Sequence, residues 1–255
     1  MLLDVKRVSK KYQCGFWGTK SVDAVDDISF TINQGEIFGL VGESGCGKTT
    51  AIKIISGLLK PTKGRVLYCG HDLLKASREE WYKFRKEIQV IFQHPQMTFN
   101  PNRNIYFSCV EPIRLYKMAV SKDEEKEMVY ELIEKVGLSK DQLKKYPHEI
   151  SGGQAQRLSI IRALSLNPKL LICDEPTSML DVSVQAQILN LLKKQKEHKL
   201  SMLYISHDLE VVRAVCNKVA VMRYGRIIEM GTVEEIFENP QHEYTKYLLS
   251  TQLDV

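Results

Sequence analysis

The segment GESGCGKTT, residues Gly42 to Thr50, decides the fold of this 255-residue chain. It matches the pattern G-x-x-x-x-G-K-S/T, and it lies between the apolar run IFGLV at 37–41 and a predicted helix. In such a loop the backbone N–H groups surround an anion, Lys48 reaches the outer phosphates, and Thr49 offers its hydroxyl to Mg²⁺. The sequence therefore predicts a nucleoside triphosphate site. The predicted binding residues are Gly42, Glu43, Ser44, Gly45, Cys46, Gly47, Lys48, Thr49 and Thr50.

The composition is that of a folded globular protein. Charged residues make up 26% of the chain and hydrophobic residues 44%, which excludes the disordered and fibrous classes. The net charge of +5 is modest and does not indicate a nucleic-acid partner. The six cysteines form no C-x-x-C pair, so reduced thiols are expected rather than a disulfide framework. No apolar run approaches the roughly 18 residues that span a bilayer, so any membrane role is expected to come through a partner.

Hydrophobic periodicity predicts an α/β fold. The runs LLDVKRV at 2–8 and AVDDISFTI at 24–32 are predicted strands, and 13–23 is a predicted loop that holds Phe16 and Trp17. A helix is expected from Thr49 to Leu59. The segment WYKFRKEIQVIFQ at 81–93 begins with polar residues, and its end, IQVIF, is expected to form a strand. After residue 167, strands and helices alternate, which favours a mostly parallel sheet covered by helices.

Residues 102–149 are helical in character. In the run that begins at Ser121, Ser121 and Glu124 form a predicted capping box, and Gly137 is the predicted helix end. We therefore expect one domain over 1–255. Its core would comprise about 1–94 and 167–255, with a helical subdomain inserted at about 95–166.

An acidic pair follows a second apolar run, KLLICDEPTSMLD at 169–181. The density of apolar residues predicts a buried strand, and Asp174 emerges at its carboxyl end, where such sheets place their ligands. Asp174 is expected to hold Mg²⁺ through water. Glu175 is expected to accept a proton from the water that attacks the γ-phosphate.

Two further predicted strands end in polar residues, IQVIF before Gln93 and SMLYIS before His207. Either residue alone would more often be structural. Because the carboxyl ends of parallel strands meet at one crevice, we expect Gln93 and His207 to converge with Lys48 and Glu175. Gln93 can bind Mg²⁺ or water, and His207 can donate a hydrogen bond to the γ-phosphate.

The motif ISGGQ at 150–154 begins a predicted helix with two glycines. Ser151 and Gln154 are expected to form a capping box, but Gly152 and Gly153 each cost the first turn up to about 1 kcal/mol. The motif is predicted to lie on a separate lobe from the phosphate-binding loop of its own chain. We therefore expect the turn from Ser151 to Gln154 to approach the γ-phosphate held by a second subunit, packed head to tail, because bare backbone permits close contact.

Together these motifs resemble the ATP-binding cassette (ABC) family. They would be its Walker A loop, its signature motif with Ile150 where most members have Leu, its Walker B run, its D-loop SMLD and its switch histidine. The resemblance implies an α/β P-loop NTPase with a mostly parallel core sheet, an N-terminal antiparallel β region and an inserted α-helical subdomain. It also implies that Tyr12 stacks on adenine, that Asp181 acts across the dimer, and that the Gln93 loop contacts transmembrane subunits.

The resemblance further implies the cofactors and partners. These are ATP and Mg²⁺, a second cassette ATPase, permease subunits in the membrane and, indirectly, an extracytoplasmic solute-binding protein. No nucleic-acid partner is expected. The second cassette would be a sister chain or a copy of this one, and the chain would be peripheral on the cytoplasmic face of the cell membrane.

Within the family, three stretches resemble the ATPases of oligopeptide, dipeptide and nickel importers. They are the loop after Tyr12, the run FQHPQMTFNP at 92–101 and the tail NPQHEYTKYLL at 239–249, which has Glu243 where the subfamily usually has Pro. The solute would be a peptide, or nickel or another metal chelate. Three alternatives stay open: an ABC-type ATPase acting on nucleic acid or ribosomes, an ATPase of another transporter subfamily, and a small-molecule kinase, which would leave ISGGQ without a purpose.

Overall fold

A computed structural model describes residues 1–14, 20–197 and 199–253 of the chain, and it has an α/β architecture. The strands are β1 (Leu3–Cys14), β2 (Lys20–Ile32), β3 (Ile37–Val41), β4 (Lys63–Tyr68), β5 (His71–Asp72), β6 (Ile88–Ile91), β7 (Leu170–Asp174), β8 (Ser201–Ile205), β9 (Lys218–Arg223) and β10 (Arg226–Thr232). The α-helices are α1 (Lys48–Ile55), α2 (Arg78–Glu87), α3 (Ile105–Leu115), α4 (Lys122–Lys135), α5 (Gly152–Leu164), α6 (Val182–Glu197), α7 (Leu209–Val215), α8 (Val233–Glu238) and α9 (Glu243–Leu253).

The larger sheet has six strands in the order β10-β9-β3-β8-β7-β6. Its strands run parallel except for β10, which is antiparallel at one edge. Every residue of β3, β7 and β8 is buried, as expected for parallel strands that are covered on both faces. The prediction of a mostly parallel core sheet is confirmed, and the carboxyl ends of β3, β6, β7 and β8 meet at the same edge.

The smaller sheet is antiparallel and has the strand order β2-β1-β4-β5. Alternation in β2 buries Ile28, Phe30 and Ile32 on one face and leaves the intervening Ser29 and Thr31 exposed. The predicted loop at 13–23 is wrong at both ends, because β1 continues to pair with β2 as far as Cys14 and Lys20. The described residues next to these ends, 11–13 and 21–23, are exposed and mostly polar, so they lack the apolar alternation that would have revealed the strands. Phe16 and Trp17 lie outside the described residues.

One predicted helix ends earlier in the structure, and one helix was not predicted. The helix α1 ends at Ile55 rather than Leu59, because Gly57 takes a left-handed conformation with φ of 73°. The polar segment before β6 forms the helix α2, which begins with a capping box between Ser77 and Glu80. That S-x-x-E pattern was the available sequence signal for α2.

Helices α3, α4 and α5 lie between β6 and β7 in the chain. The predicted N-cap of α4 is present, since Ser121 Oγ accepts a hydrogen bond from Glu124 N at 3.1 Å. The Glu124 carboxylate accepts from Val120 N rather than from Ser121 N, so the reciprocal half of the predicted box is absent. Gly137 has a φ of 65°, which is the left-handed conformation expected after a helix end.

The two faces of the larger sheet carry separate hydrophobic clusters. Ile37 and Val41 of β3 pack into a cluster that includes residues of α3 to α9, whereas Phe38 and Leu40 pack with β1, β2, β4 and α1. The core of the helices α3 to α5 is therefore continuous with one face of the sheet. Among the described helices, none has the length and apolar composition that crossing a membrane requires.

The close packing of Gly57 gives a stability prediction. A Cβ at Gly57 would lie 1.9 Å from the Trp81 ring, whereas one at Gly35, where φ is 74°, would meet no atom within 4 Å. Alanine at either position pays about 1–2 kcal/mol for its left-handed backbone. Gly57→Ala should lower the free energy of unfolding by a further 1–3 kcal/mol or so, because it displaces the ring. Urea unfolding of both variants measures the difference, and equal losses would contradict the packing argument.

Candidate active site

The loop between β3 and α1 is held by close backbone packing. A Cβ at Gly42 would lie 2.1 Å from the Met222 carbonyl oxygen, and one at Gly47 would lie 2.1 Å from that of Ala24. Both glycines also have positive φ, of 146° and 111°. Only glycine has no Cβ to collide with these carbonyl oxygens and also adopts such positive φ values without strain. The neighbouring strands β9 and β2 therefore fix the loop in place before any ligand binds.

Lys48, the first residue of α1, folds back over this loop. Its Nζ donates to the carbonyl oxygens of Gly42 at 2.6 Å and Glu43 at 2.8 Å, and it lies 3.5 Å from Cys46 Sγ. The side chain is buried, and a buried ammonium needs such partners. A concave backbone with a lysine ammonium fits a phosphate chain, which would supply the opposite charge.

The strand ends meet in one cavity of about 450 Å³. Lys48, Gln93, Asp174, Glu175 and His207 all line it, as the convergence of parallel strands predicts. Among the residues that the structure describes, the lining consists of Ala24, Gly42, Ser44, Gly45, Gly47, Lys48, Thr49, Thr50, Gln93, Asp174, Glu175 and His207.

Glu175 is held at both of its carboxylate oxygens. Gln93 Nε2 donates to Oε2 at 2.9 Å, and His207 Nδ1 lies 3.2 Å from Oε1. The backbone N–H of Glu175 donates to the Ile205 carbonyl at 2.9 Å, and its φ is 50°. A left-handed conformation in a residue other than glycine is strained, and such strain concentrates at functional sites. The carboxylate, at the end of β7, is thus fixed inside the cavity by side chains that follow β6 and β8.

Asp174 is buried at the end of β7. Burial raises the pKa of its carboxyl group, the charge of Glu175 adds to this, and Lys48 opposes it. A cation beside the two carboxylates would lower this pKa instead. The Thr49 hydroxyl, the Gln93 amide and the Asp174 carboxylate supply oxygen donors of the type that Mg²⁺ prefers.

Several predicted site residues lie outside this cavity. Tyr12 lies on β1 opposite Val22, where it is 37% exposed, and Lys10 Nζ is 5.5 Å from its ring centroid. Asp181 and the turn from Ser151 to Gln154 are likewise absent from the lining given above. The cavity of one chain therefore combines the loop and the strand ends without the signature turn.

The signature turn has the predicted capping box. Gln154 N donates to Ser151 Oγ at 3.3 Å, and Ser151 N donates to Gln154 Oε1 at 3.1 Å. The glycines have a role within the chain that the sequence did not reveal. A Cβ at Gly152 would lie 3.2 Å from Met179 Sδ, and one at Gly153 would lie 3.1 Å from the Met179 carbonyl oxygen. The segment after the acidic pair therefore packs closely on the turn, and a Cβ at either glycine would crowd that contact.

Asp181 has a structural role that the sequence analysis missed. Its Oδ1 accepts hydrogen bonds from Val184 N at 3.0 Å and Ser183 Oγ at 2.7 Å, at the start of α6. The hydrogen bond from Val184 lowers the pKa of Asp181, and the one from Ser183 adds to the effect. The pattern D-x-x-V before the helix was the available signal, because Asp is a preferred N-cap.

The sequence matches the family described as "ABC transporter" over residues 25–178. It is 47% identical to the oligopeptide transport ATP-binding protein OppF of Salmonella typhimurium over 237 residues, which is 92% of this chain and 71% of that protein. It is 46% identical to OppF of Bacillus subtilis over 232 residues, covering 90% of this chain and 76% of that protein.

Solved structures of ABC transporter ATPases are also similar to this chain. A dimeric post-hydrolysis state of the ATP-binding cassette MJ0796, bound to ADP and Pi, matches with a TM-score of 0.83 and 28% identity, covering 91% of this chain and 99% of that one. CbiO1 from Clostridium perfringens, described as part of the ABC transporter complex cbiONQ, matches with a TM-score of 0.76 and 28% identity, covering 93% and 91%. The resemblance inferred from the motifs is confirmed: the chain belongs to the ABC transporter family.

Proposed function

We propose that this chain is the ATP-hydrolysing subunit of an ABC importer, in which a nucleotide-binding dimer drives the uptake of peptides. The observation that carries the proposal is the cavity that joins the phosphate-binding loop to Glu175, with Gln93 and His207 at its two carboxylate oxygens. The two OppF relatives are oligopeptide transport ATP-binding proteins, which favours peptides over nickel or metal chelates as the solute.

The chemistry follows from the residues in the cavity. Glu175 accepts a proton from the attacking water, and Gln93 and His207 keep its carboxylate oriented. Lys48 binds the outer phosphates, and the Nε2 atom of His207 reaches the γ-phosphate. Thr49, Gln93 and Asp174 would hold Mg²⁺, which would neutralise charge on the phosphates. Tyr12 stacks on the adenine.

The second half of each site comes from another cassette. The turn from Ser151 to Gln154 presents a hydroxyl, backbone N–H groups and a positive helix end, and it lies outside the cavity of its own chain. In a head-to-tail dimer this turn closes over the nucleotide of the partner, and Asp181 acts across the same interface. The MJ0796 cassette is dimeric with ADP and Pi bound, which supports a nucleotide-binding dimer. The partner is a sister chain or a second copy.

The remaining partners are membrane proteins. We place the chain on the cytoplasmic face of the cell membrane, bound to permease subunits that contact the loop after Gln93, with an extracytoplasmic solute-binding protein as an indirect partner. The helical subdomain at about 95–166 would move relative to the core at about 1–94 and 167–255 when the dimer closes.

Removing the carboxylate of Glu175 tests the catalytic role. Glu175→Gln should lower ATP turnover about 10²- to 10⁴-fold, which is the range for a lost general base. It should also leave a dimer that persists with ATP and not with ADP, measured by size-exclusion chromatography. Glu210→Gln, at an exposed position on α7, is the matched control and should hydrolyse ATP normally. Near-normal turnover in Glu175→Gln would contradict the role.

Two serine caps separate the signature role from helix capping. Ser151 caps α5 and Ser77 caps α2, each in a capping box on an exposed serine. Alanine at either position should lower the free energy of unfolding by about 1 kcal/mol. Ser151→Ala alone should also lower ATP turnover about tenfold or more, as for one lost hydrogen bond to a charged group. Equal turnover in the two variants would contradict the role of Ser151.

Uptake measurements in the native cell test the solute. Replacing the chromosomal copy with Glu175→Gln should abolish uptake of a labelled tripeptide and leave uptake of radioactive Ni²⁺ unchanged. The opposite pattern would show a metal importer.

The tagged full chain, isolated from its native membrane, should carry permease subunits in mass spectrometry. Ribosomal proteins or nucleic acid in their place would favour the alternative of a cassette ATPase that acts on those partners.

A further inference from the structure

The C-terminal helix α9 contacts the phosphate-binding loop directly. Glu43 N, in the loop, donates a hydrogen bond to the phenol oxygen of Tyr244 at 3.3 Å, across 201 residues of sequence. The Tyr244 side chain is buried, with 4% of its surface exposed. Nothing in the proposed chemistry uses this contact, although Tyr244 belongs to the tail at 239–249 that marks the subfamily resemblance.

Tyr244 is itself held from several sides. The Arg223 guanidinium stacks between two aromatic rings, with its Cζ 4.4 Å from the Tyr244 centroid and 4.9 Å from that of Tyr224. Tyr244 N donates to His242 Nδ1 at 3.0 Å, and His242 N donates to the Glu229 carboxylate at 3.1 Å. Stacking and these hydrogen bonds give the phenol a defined position against the loop.

The contact acts on the residue that holds the lysine. Glu43 donates its N–H to Tyr244 and accepts a hydrogen bond from Lys48 Nζ with its carbonyl oxygen at 2.8 Å. A second contact lies beside it, where Gly225 N donates to the Cys46 carbonyl at 2.9 Å. The C-terminal part of the chain therefore supports the loop through two hydrogen bonds, at Glu43 and at Cys46.

The phenol keeps its proton at physiological pH. Burial raises the pKa of Tyr244, while the N–H of Glu43 acts in the opposite direction. A neutral phenol accepts the Glu43 hydrogen bond with its oxygen and adds no charge next to the loop. The hydrogen bond from Glu43 to Tyr244 is thus not expected to change with pH near neutrality.

We propose that Tyr244 is a positioning residue of the nucleotide site: its hydroxyl fixes the backbone of Glu43, and through it the Lys48 ammonium, in the conformation that binds the phosphate chain. This inference rests on the proposed ATP site. Without the hydroxyl, the Glu43 N–H loses its partner and the loop can reorient. The binding of ATP should weaken, whereas the turnover number should change little, because Glu175, Gln93 and His207 lie on other strand ends.

The test compares Tyr244→Phe with Tyr247→Phe in the full chain. Tyr247 lies on the same helix and is 59% exposed, so its variant controls for the loss of a phenol from α9. Tyr244→Phe should raise the dissociation constant of a fluorescent ATP analogue and the KM for ATP about three- to tenfold, as for one neutral hydrogen bond. The kcat should stay within about twofold of the wild-type value. Tyr247→Phe should match the wild type in all three.

Two further measurements distinguish positioning from stability. The Glu43 amide, followed by hydrogen exchange, should exchange slowly in the wild type and faster in Tyr244→Phe only. Urea unfolding without nucleotide reports any general loss of stability. If Tyr244→Phe unfolds more easily but binds the analogue with unchanged affinity, the residue is merely structural and the proposal is overturned. Fast exchange of Glu43 in the wild type would overturn it as well. A wild-type chain that does not bind the analogue would instead refute the ATP site itself.

Discussion

The buried ammonium of Lys48 is the constraint on which the site depends. A charge that is removed from water must be matched by fixed partners, and here they are the carbonyl oxygens of Gly42 and Glu43. Those carbonyls can be partners only while the loop keeps its shape. The backbone of β2 and β9 maintains that shape by packing so closely on Gly42 and Gly47 that no side chain fits. The sheet therefore prepares the loop for an anion in advance, which reduces the reorganisation that binding requires.

Two acidic residues line the same cavity as Lys48. Asp174 and Glu175 are adjacent in sequence, and burial with mutual repulsion raises the pKa of Asp174. Glu175 tolerates this position because Gln93 and His207, from two other strand ends, contact its two oxygens. Lys48 and the two carboxylates thus line one cavity at the carboxyl edge of the parallel sheet. This is the arrangement that phosphoryl transfer to water uses, with a clamp for the phosphates and an oriented base for the nucleophile.

Prediction from the sequence succeeded where a strong pattern lies within a few residues. It failed where the local pattern of a strand or helix is weak. The loop GESGCGKTT, the buried runs of β3, β7 and β8 and the capping box of α5 all lie within a few residues and were identified correctly. The paired ends of β1 and β2 were taken for a loop, because exposed polar strands have no apolar alternation. The early end of α1 follows from the left-handed conformation of Gly57, and the packing of Trp81 against that glycine is a contact that no local pattern reveals.

Local spacing was sufficient to assign the family, the fold class and the groups that meet at the sheet edge, because strand direction brings the carboxyl ends of parallel strands together regardless of their separation in sequence. The distances within the site were decided by tertiary packing. The contacts of Met179 with Gly152 and Gly153, and of Tyr244 with Glu43, join segments that carry no mutual signal. Such contacts depend on how helices and sheets pack, and packing follows from the shape of the whole core rather than from any short run of residues.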